Sequence, residues 1–132
     1  MAKYVYPAVF TPEENGMFSV DFPDLEGCYT CGENLAEAIY MAEDVLAFTL
    51  YDYERGHRPI PAPSLRSNIT LTGDDFVNMV YCDTLGYQKR NNKKAVKKTL
   101  SIPEWLNEAA TDAEINFSQV LQEALIERLH LA

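Results

Sequence analysis

Val96-Lys97-Lys98-Thr99-Leu100-Ser101-Ile102-Pro103 is the stretch that decides how this chain is read. Val96, Leu100 and Ile102 share one parity with Lys98, while Lys97, Thr99 and Ser101 take the other. Successive side chains of a strand point to opposite faces, so the pattern predicts one mostly apolar face and one basic, hydroxylic face. Lys98 interrupts the apolar parity, but a long stem near a strand end buries its methylenes while its ammonium stays in water. Two helical patterns follow, with no second strand beside them. A lone strand leaves its backbone groups unpaired, so its natural partner is the same strand of a second chain. The expected product is a two-stranded antiparallel ribbon carrying paired Lys, Thr and Ser side chains, a shape that fits the major groove of DNA.

Downstream, Pro103 suits the first position of a helix. Leu106, Ala109, Ala110 and Ala113 form a narrow stripe that breaks at Glu114-Ile115-Asn116. Asn116 and Gln119 have the spacing of a capping box, and Ile115 with Val120 that of a hydrophobic staple. Phe117, Val120, Leu121, Ala124, Leu125 and Leu129 then line a second helix. A strand–helix–helix unit over 96–132 is small for a monomer. Upstream, residues 89–95 read as a polar basic linker and the domain boundary. Lys89, Arg90, Lys93, Lys94, Lys97 and Lys98 all precede the first acid of this part, Glu104.

The charge is divided the same way. The chain has a net charge of −9, but residues 1–88 hold 4 Lys and Arg against 14 Asp and Glu, a local −10. Residues 89–132 hold 7 basic and 6 acidic side chains, a local +1. Such asymmetry suggests two jobs on one chain: the acidic part suits a basic protein and repels nucleic acid, and the basic stretch does the reverse. With 47% hydrophobic residues among 132, the chain is expected to fold, and no apolar run approaches the ~20 residues of a membrane span. Three cysteines and a start without a signal-like apolar core lead us to expect a cytoplasmic protein.

Residues 1–88 read as one domain. Residues 3–10 form a first strand, in which Pro7 belongs at an edge or a bulge. Asn15-Gly16 marks a turn, and Met17 to Phe22 alternates as a second strand. Cys28 to Cys31 makes a third short strand after the break at Pro23-Asp24-Leu25-Glu26-Gly27. Asn34 with Glu37 caps an amphipathic helix over 35–55, with Gly56 as the residue just beyond its end. His57 to Pro63 must be extended around Pro59, Pro61 and Pro63, and Phe76 to Tyr81 is a fourth strand. The fold class is α+β.

Several chemistries are weighed against blander readings. Cys28 and Cys31 have C-x-x-C spacing, but in a strand they face opposite ways and no second ligand pair exists; Cys82, His57 and His130 are scattered. Structural thiols, with no metal and no cofactor, are expected. Asp21, Asp24, Glu26, Glu37 and Asp44 invite a two-metal nuclease reading, yet they fall on a loop and a solvated helix face. No Ser-His-Asp or Cys-His constellation stands out, and no enzymatic activity is expected. The eight tyrosines are mostly core-edge packing, with some able to anchor an interface. Trp105 fits packing between domains or across a dimer.

Lys97-Lys98-Thr99-Leu100-Ser101-Ile102-Pro103, followed by Trp105-Leu106 and Asn116-Phe117-Ser118-Gln119-Val120-Leu121, resembles a ribbon-helix-helix DNA-binding domain. Asp21-Phe22-Pro23-Asp24-Leu25-Glu26-Gly27-Cys28-Tyr29-Thr30-Cys31-Gly32, with Leu35-Ala36-Glu37-Ala38, resembles the HicB antitoxin family. The resemblance implies a partial RNase H-like domain that masks a small basic HicA toxin, an mRNA-cleaving ribonuclease. It also implies a C-terminal domain, dimeric through its ribbon, that binds operator DNA and represses its own operon, with higher assemblies forming around toxin. In that scheme Lys97, Thr99 and Ser101 read bases, and the alternative is a solvated face of a dimerisation strand. Lys93, Lys94 and Lys98 would contact phosphates, and Asn116, Phe117 and Ser118 would hold a phosphate at a helix N-terminus. The family often has a glycine near the turn between the two helices, where this chain has Glu114 and Ile115. Asp21, Asp24, Glu26 and Tyr29 are the expected toxin contacts. The rival readings are a ribbon-helix-helix repressor with a ligand-sensing N-terminal domain, and a minimal nuclease.

Overall fold

The computed structural model describes residues 2–131 in two compact units, Met1–Lys94 and Ala95–Ala132. Met1 and Ala132, the outer ends of the first and last expected domains, lie outside the described residues.

The first unit is a four-stranded antiparallel sheet with helices, a mixed α+β fold. Its elements are β1 (Lys3–Pro12), β2 (Phe18–Asp21), β3 (Tyr29–Gly32), α1 (Leu35–Arg55), β4 (Phe76–Asp83) and α2 (Thr84–Asn91), and the sheet order is β3-β2-β1-β4. Alternation decides its two faces. Tyr6, Ala8 and Phe10 of β1, Val20 of β2 and Val80 and Cys82 of β4 point to one side and are buried. There they meet Ala38, Ala42, Leu46 and Leu50, which recur at helical spacing along α1. Phe76 stacks on Phe10 with centroids 5.3 Å apart and meets Phe18 edge-on at 6.3 Å.

Pro7 fits its place although β1 is an inner strand. The pairing of β1 with β2 covers only Val9–Pro12, so residues 3–8 have a single neighbour, β4. There β1 is an edge, and a residue without an N–H is tolerated.

The β2–β3 connection explains its residues. Leu25 N donates to Phe22 O (3.1 Å) and Cys28 N to Leu25 O (3.2 Å), closing two successive turns that bury Phe22, Leu25 and Cys28. Gly27, at the third place of the second turn, takes φ 74, where a Cβ is strained. Gly32 is needed for another reason. A Cβ there would lie 2.4 Å from Ala38 N, because β3 passes directly against the first turn of α1. The α1 start follows the capping pattern: Asn34 Oδ1 accepts from Glu37 N at 2.9 Å, and Glu37 Oε1 accepts from Glu33 N at 3.2 Å.

Several expectations need correction. Gly56 is the last half-helical residue of α1, at φ −83, and His57 takes the left-handed position beyond it at φ 52. Pro103 precedes the first helical residue instead of occupying it. The basic linker over 89–95 begins inside a helix: α2 carries Lys89 and Arg90 in its last turn. Asp83 caps α2 by accepting from Leu85 N at 3.1 Å, and Tyr87 packs against Phe48 (6.4 Å) and Tyr51 (5.8 Å) of α1. Its apolar stripe of Leu85 and Tyr87 is too short to register as a periodicity.

The second unit contains α3 (Glu104–Asp112) and α4 (Phe117–Arg128). The chain from 93 to 102 is in neither helix nor strand, so the expected strand over 96–102 does not form within one chain. The reason is the one that made it a ribbon candidate: a strand has no hydrogen bonds until another strand lies beside it. Between the helices, Ile115 N donates to Ala110 O (3.0 Å) and Glu114 N to Thr111 O (3.0 Å). This is a Schellman closure with Glu114 at φ 56 in the place that favours glycine. Among the described residues no helix is long and apolar enough to cross a membrane.

Candidate functional site

The first unit has one covered and one open sheet face. On the open face lie Val5, Val9 and Thr11 of β1, Ser19 and Asp21 of β2, Tyr29 and Cys31 of β3, and Val77, Met79 and Tyr81 of β4. Tyr29, Met79 and Tyr81 on it are 68%, 51% and 48% exposed. A shallow open depression of about 390 Å³ is lined by Val9, Thr11, Ser19, Asp21, Tyr29 and Cys31. Asp21 and Tyr29 are direct cross-strand partners, so an acid and a tyrosine stand side by side at its margin. An exposed apolar sheet face with an acidic rim suits a protein partner better than a small molecule.

The four expected partner-binding residues separate. Asp21, Glu26 and Tyr29 are exposed. Asp24 is occupied: its carboxylate accepts from Ser64 N at 2.9 Å and from Ser64 Oγ. It thereby ties the segment after α1 to the β2–β3 loop. Tyr6 Oη donates to Pro61 O in the same strap, and Ile60 packs on the core. Asp24, half-exposed, thus has a structural partner in addition to its place at the surface.

At the end of the unit, Thr84 is fully buried where β4 passes into α2. Its Oγ1 accepts from Ala2 N at 2.8 Å and lies 3.1 Å from Glu54 Oε2, which also accepts from Tyr4 Oη at 2.8 Å. Burial opposes ionisation of Glu54, but hydrogen bonds, those from Tyr4 and Thr84 among them, hold its carboxyl below its ordinary value. Burial, then the Glu54 carboxylate, push Tyr4 up to about 12. The same two causes push the Cys82 thiol up to about 12. Cys28 is buried and Cys31 exposed, consistent with their opposite faces. Among the described residues no three His, Cys, Asp or Glu side chains gather as a metal site would require.

Lys93 and Lys94 at the end of the first unit, and Lys97, Lys98, Thr99 and Ser101 in the second, are all exposed on the non-regular segment. Asn116 caps α4 by accepting from Gln119 N at 3.1 Å, and exposed Phe117 and Ser118 occupy the first turn behind it. The apolar side chains are equally open: Val96 is 86% exposed and Trp105 69%. No described residue from 95 to 131 is buried, and only Ala110 and Leu131 are half-buried. Among the described residues of this unit, the apolar stripes of the two helices therefore form no core of their own.

Comparison with known proteins bears on the first unit above all. Residues 5–72 match the sequence profile described as the HicB-like antitoxin of bacterial toxin-antitoxin systems. The chain is 34% identical over 76 residues to Antitoxin HicB 1 of Photorhabdus laumondii, covering 56% of this chain and 44% of that protein. It is 38% identical over 60 residues to Antitoxin HicB of Escherichia coli K12, covering 44% of each. The matches thus span under half the length of these curated relatives. A solved chain of a toxin-antitoxin complex from Streptococcus pneumoniae superposes with a TM-score of 0.60 at 28% identity, over 96% of this chain and 99% of that one. The matched residues 5–72 include the β2–β3 loop and the capped helix described above, and the chain belongs to the HicB-like antitoxin family.

Proposed function

We propose that the chain is an antitoxin that neutralises a HicA-type ribonuclease through its first unit and represses its own operon through its second. It acts by binding and not by catalysis. The first unit has a partial RNase H-like fold, and the toxin lies on its open sheet face beside Asp21, Glu26 and Tyr29. A basic ribonuclease is drawn by the net −10 of residues 1–88. The observation that carries the reading is the contrast in burial: one unit completes a core alone, and the other leaves every apolar stripe uncovered.

The second unit is a ribbon-helix-helix protomer. Pairing Val96–Ile102 of two chains would supply the missing strand hydrogen bonds and cover Leu100, Ile102 and the α3 and α4 stripes. The opposite face would then present Lys97, Thr99 and Ser101 to base edges. Lys93, Lys94 and Lys98 neutralise phosphates, and the free N–H groups at Phe117 and Ser118 receive one more.

The test takes residues 1–94 and the product of the adjacent short reading frame. A cut at 88 would sever α2, so the fragment runs through its end. Calorimetry is expected to give tight binding, and an RNA-cleavage assay complete suppression at one equivalent. A folded fragment that neither binds nor suppresses would move the function to a repressor with a sensing domain. Lys97→Ala with Thr99→Ala in the full chain is expected to abolish operator binding and keep toxin binding. Loss of both in a folded dimer would defeat the two-site scheme.

A further inference from the structure

The sheet ends in two edges of different kinds. The β3 edge is four residues long, Tyr29–Gly32; the β4 edge is eight, Phe76–Asp83. Thr84 N donates to Ala2 O at 3.0 Å, which continues the register in which Tyr4 pairs with Cys82 and Tyr6 with Val80. Even-numbered residues of β4 therefore bond to β1, and the N–H and C=O groups of Val77, Met79 and Tyr81 point outward. Among the described residues, 76–83 make no backbone hydrogen bond beyond those with β1. The strand has no proline and no charge between Phe76 and Cys82, so it lacks the usual devices that blunt an edge.

Its charges sit at the ends instead: Asp74 and Asp75 before it, Asp83 at its close. Antiparallel pairing of β4 with a second β4 would bring Asp83 of one copy beside Asp75 of the other at both ends, which is repulsive. A strand flanked by lysine or arginine meets the opposite situation.

We infer that the outer edge of β4 takes up an extended strand of the basic toxin, so that antitoxin and toxin share one continuous sheet. The inference rests on the antitoxin reading and adds to it the docking element. Backbone hydrogen bonds at Val77, Met79 and Tyr81 supply affinity. The acids at the strand's ends select a basic partner, and the side chains of Met79 and Tyr81 continue the contact onto the open face. From β3 to β4 the face is only about 14 Å wide at the usual strand spacing, so one small domain reaches both Tyr29 and β4.

The test uses the full chain and the HicA-type toxin of the neighbouring reading frame. Amide exchange at Val77, Met79 and Tyr81 is expected to slow on adding toxin, while Asn78 and Val80 are already slow in the free chain. Met79→Pro removes one outward N–H and is expected to weaken binding about tenfold more than Met79→Ala, which shortens the side chain and keeps the donor. Equal effects of the two substitutions, or outward amides that exchange as fast in the complex as in the free chain, overturn the shared sheet and leave the antitoxin reading standing. Should Met79→Pro fail to fold, the exchange measurement decides alone. Protection of those amides that grows with concentration of the chain by itself would assign the edge to a second copy and also overturn the inference. Absence of any binding by the unaltered chain defeats the antitoxin reading and this inference together.

Discussion

The first unit packs Ala42, Leu46 and Leu50 of α1 with Tyr6, Ala8 and Phe10 of β1 and Val80 and Cys82 of β4 in one core, and each of these is nearly free of solvent. The second unit's helices also carry apolar stripes, yet Leu121, Leu125 and Leu129 remain between a third and three-fifths exposed. Both obey the same periodicity, so periodicity alone does not tell a domain from half of one. What differs is whether the chain supplies the opposing layer. On the dimer reading proposed above, stability of the first unit is a property of one molecule, and that of the second a property of concentration.

The largest effect should come from diluting that difference. Leu125→Asp is expected to reduce a dimer to monomers by sedimentation and to remove the helical signal of α3 and α4. The first unit would keep its own unfolding transition; a single transition lost as a whole would erase the contrast. Next in size is Gly32→Ala, where the added methyl meets the backbone of α1. Denaturant unfolding should show the first unit weakened by about 3 kcal/mol, in the range of overpacked cores. The dimer midpoint should not move.

The pH dependence sharpens the same division. The folded-state value of Tyr4 is raised to about 12 from an ordinary 10, so its stabilisation is fully present below pH 10 and is lost as pH rises toward 12. Cys82, raised to about 12 from 9, acts in the same sense from pH 9 upward. Glu54 is lowered, so its contribution is present above its ordinary value near 4.5 and is lost as pH falls through its folded value. The first unit should soften at both extremes. Tyr4→Phe should remove part of the alkaline loss, as followed by thermal melts. The smallest effect belongs to Glu114→Gly, which relieves a left-handed residue in the α3–α4 turn and should stabilise the second unit by about 1 kcal/mol. A loss there would mean that the glutamate side chain makes a contact the dimer needs.

Much of this was legible from local chemistry. Asn34 and Glu37 announce the start of α1, the alternation of Phe18, Val20 and Phe22 announces β2, and the observed α1 runs over the expected 35–55. What escaped depends on distance along the chain. Asp24 looks like any surface acid until Ser64 arrives 40 residues later to hold it. That Met79 points its backbone outward follows from register, which no strand pattern contains. α2 was hidden because its short apolar stripe is interrupted by Gly86 and followed by cations. Its cap, Asp83, and its anchors, Phe48 and Tyr51, come from other elements.

Pairing β1 with β4 has a kinetic side. Ala2 bonds to Thr84 across 82 residues, so the first strand synthesised must wait for nearly the whole unit before its ladder can form. Closing so long a loop costs entropy before any contact rewards it, which slows folding and ties it to topology. On the function proposed above, a nascent chain would be inert until its fourth strand is free of the ribosome, since the open face cannot be complete earlier. A permutant that joins the end of β4 directly to β1 should fold faster in stopped-flow experiments at similar equilibrium stability. If that function holds, in a cell where toxin is already present the waiting time would set how soon each new molecule counts.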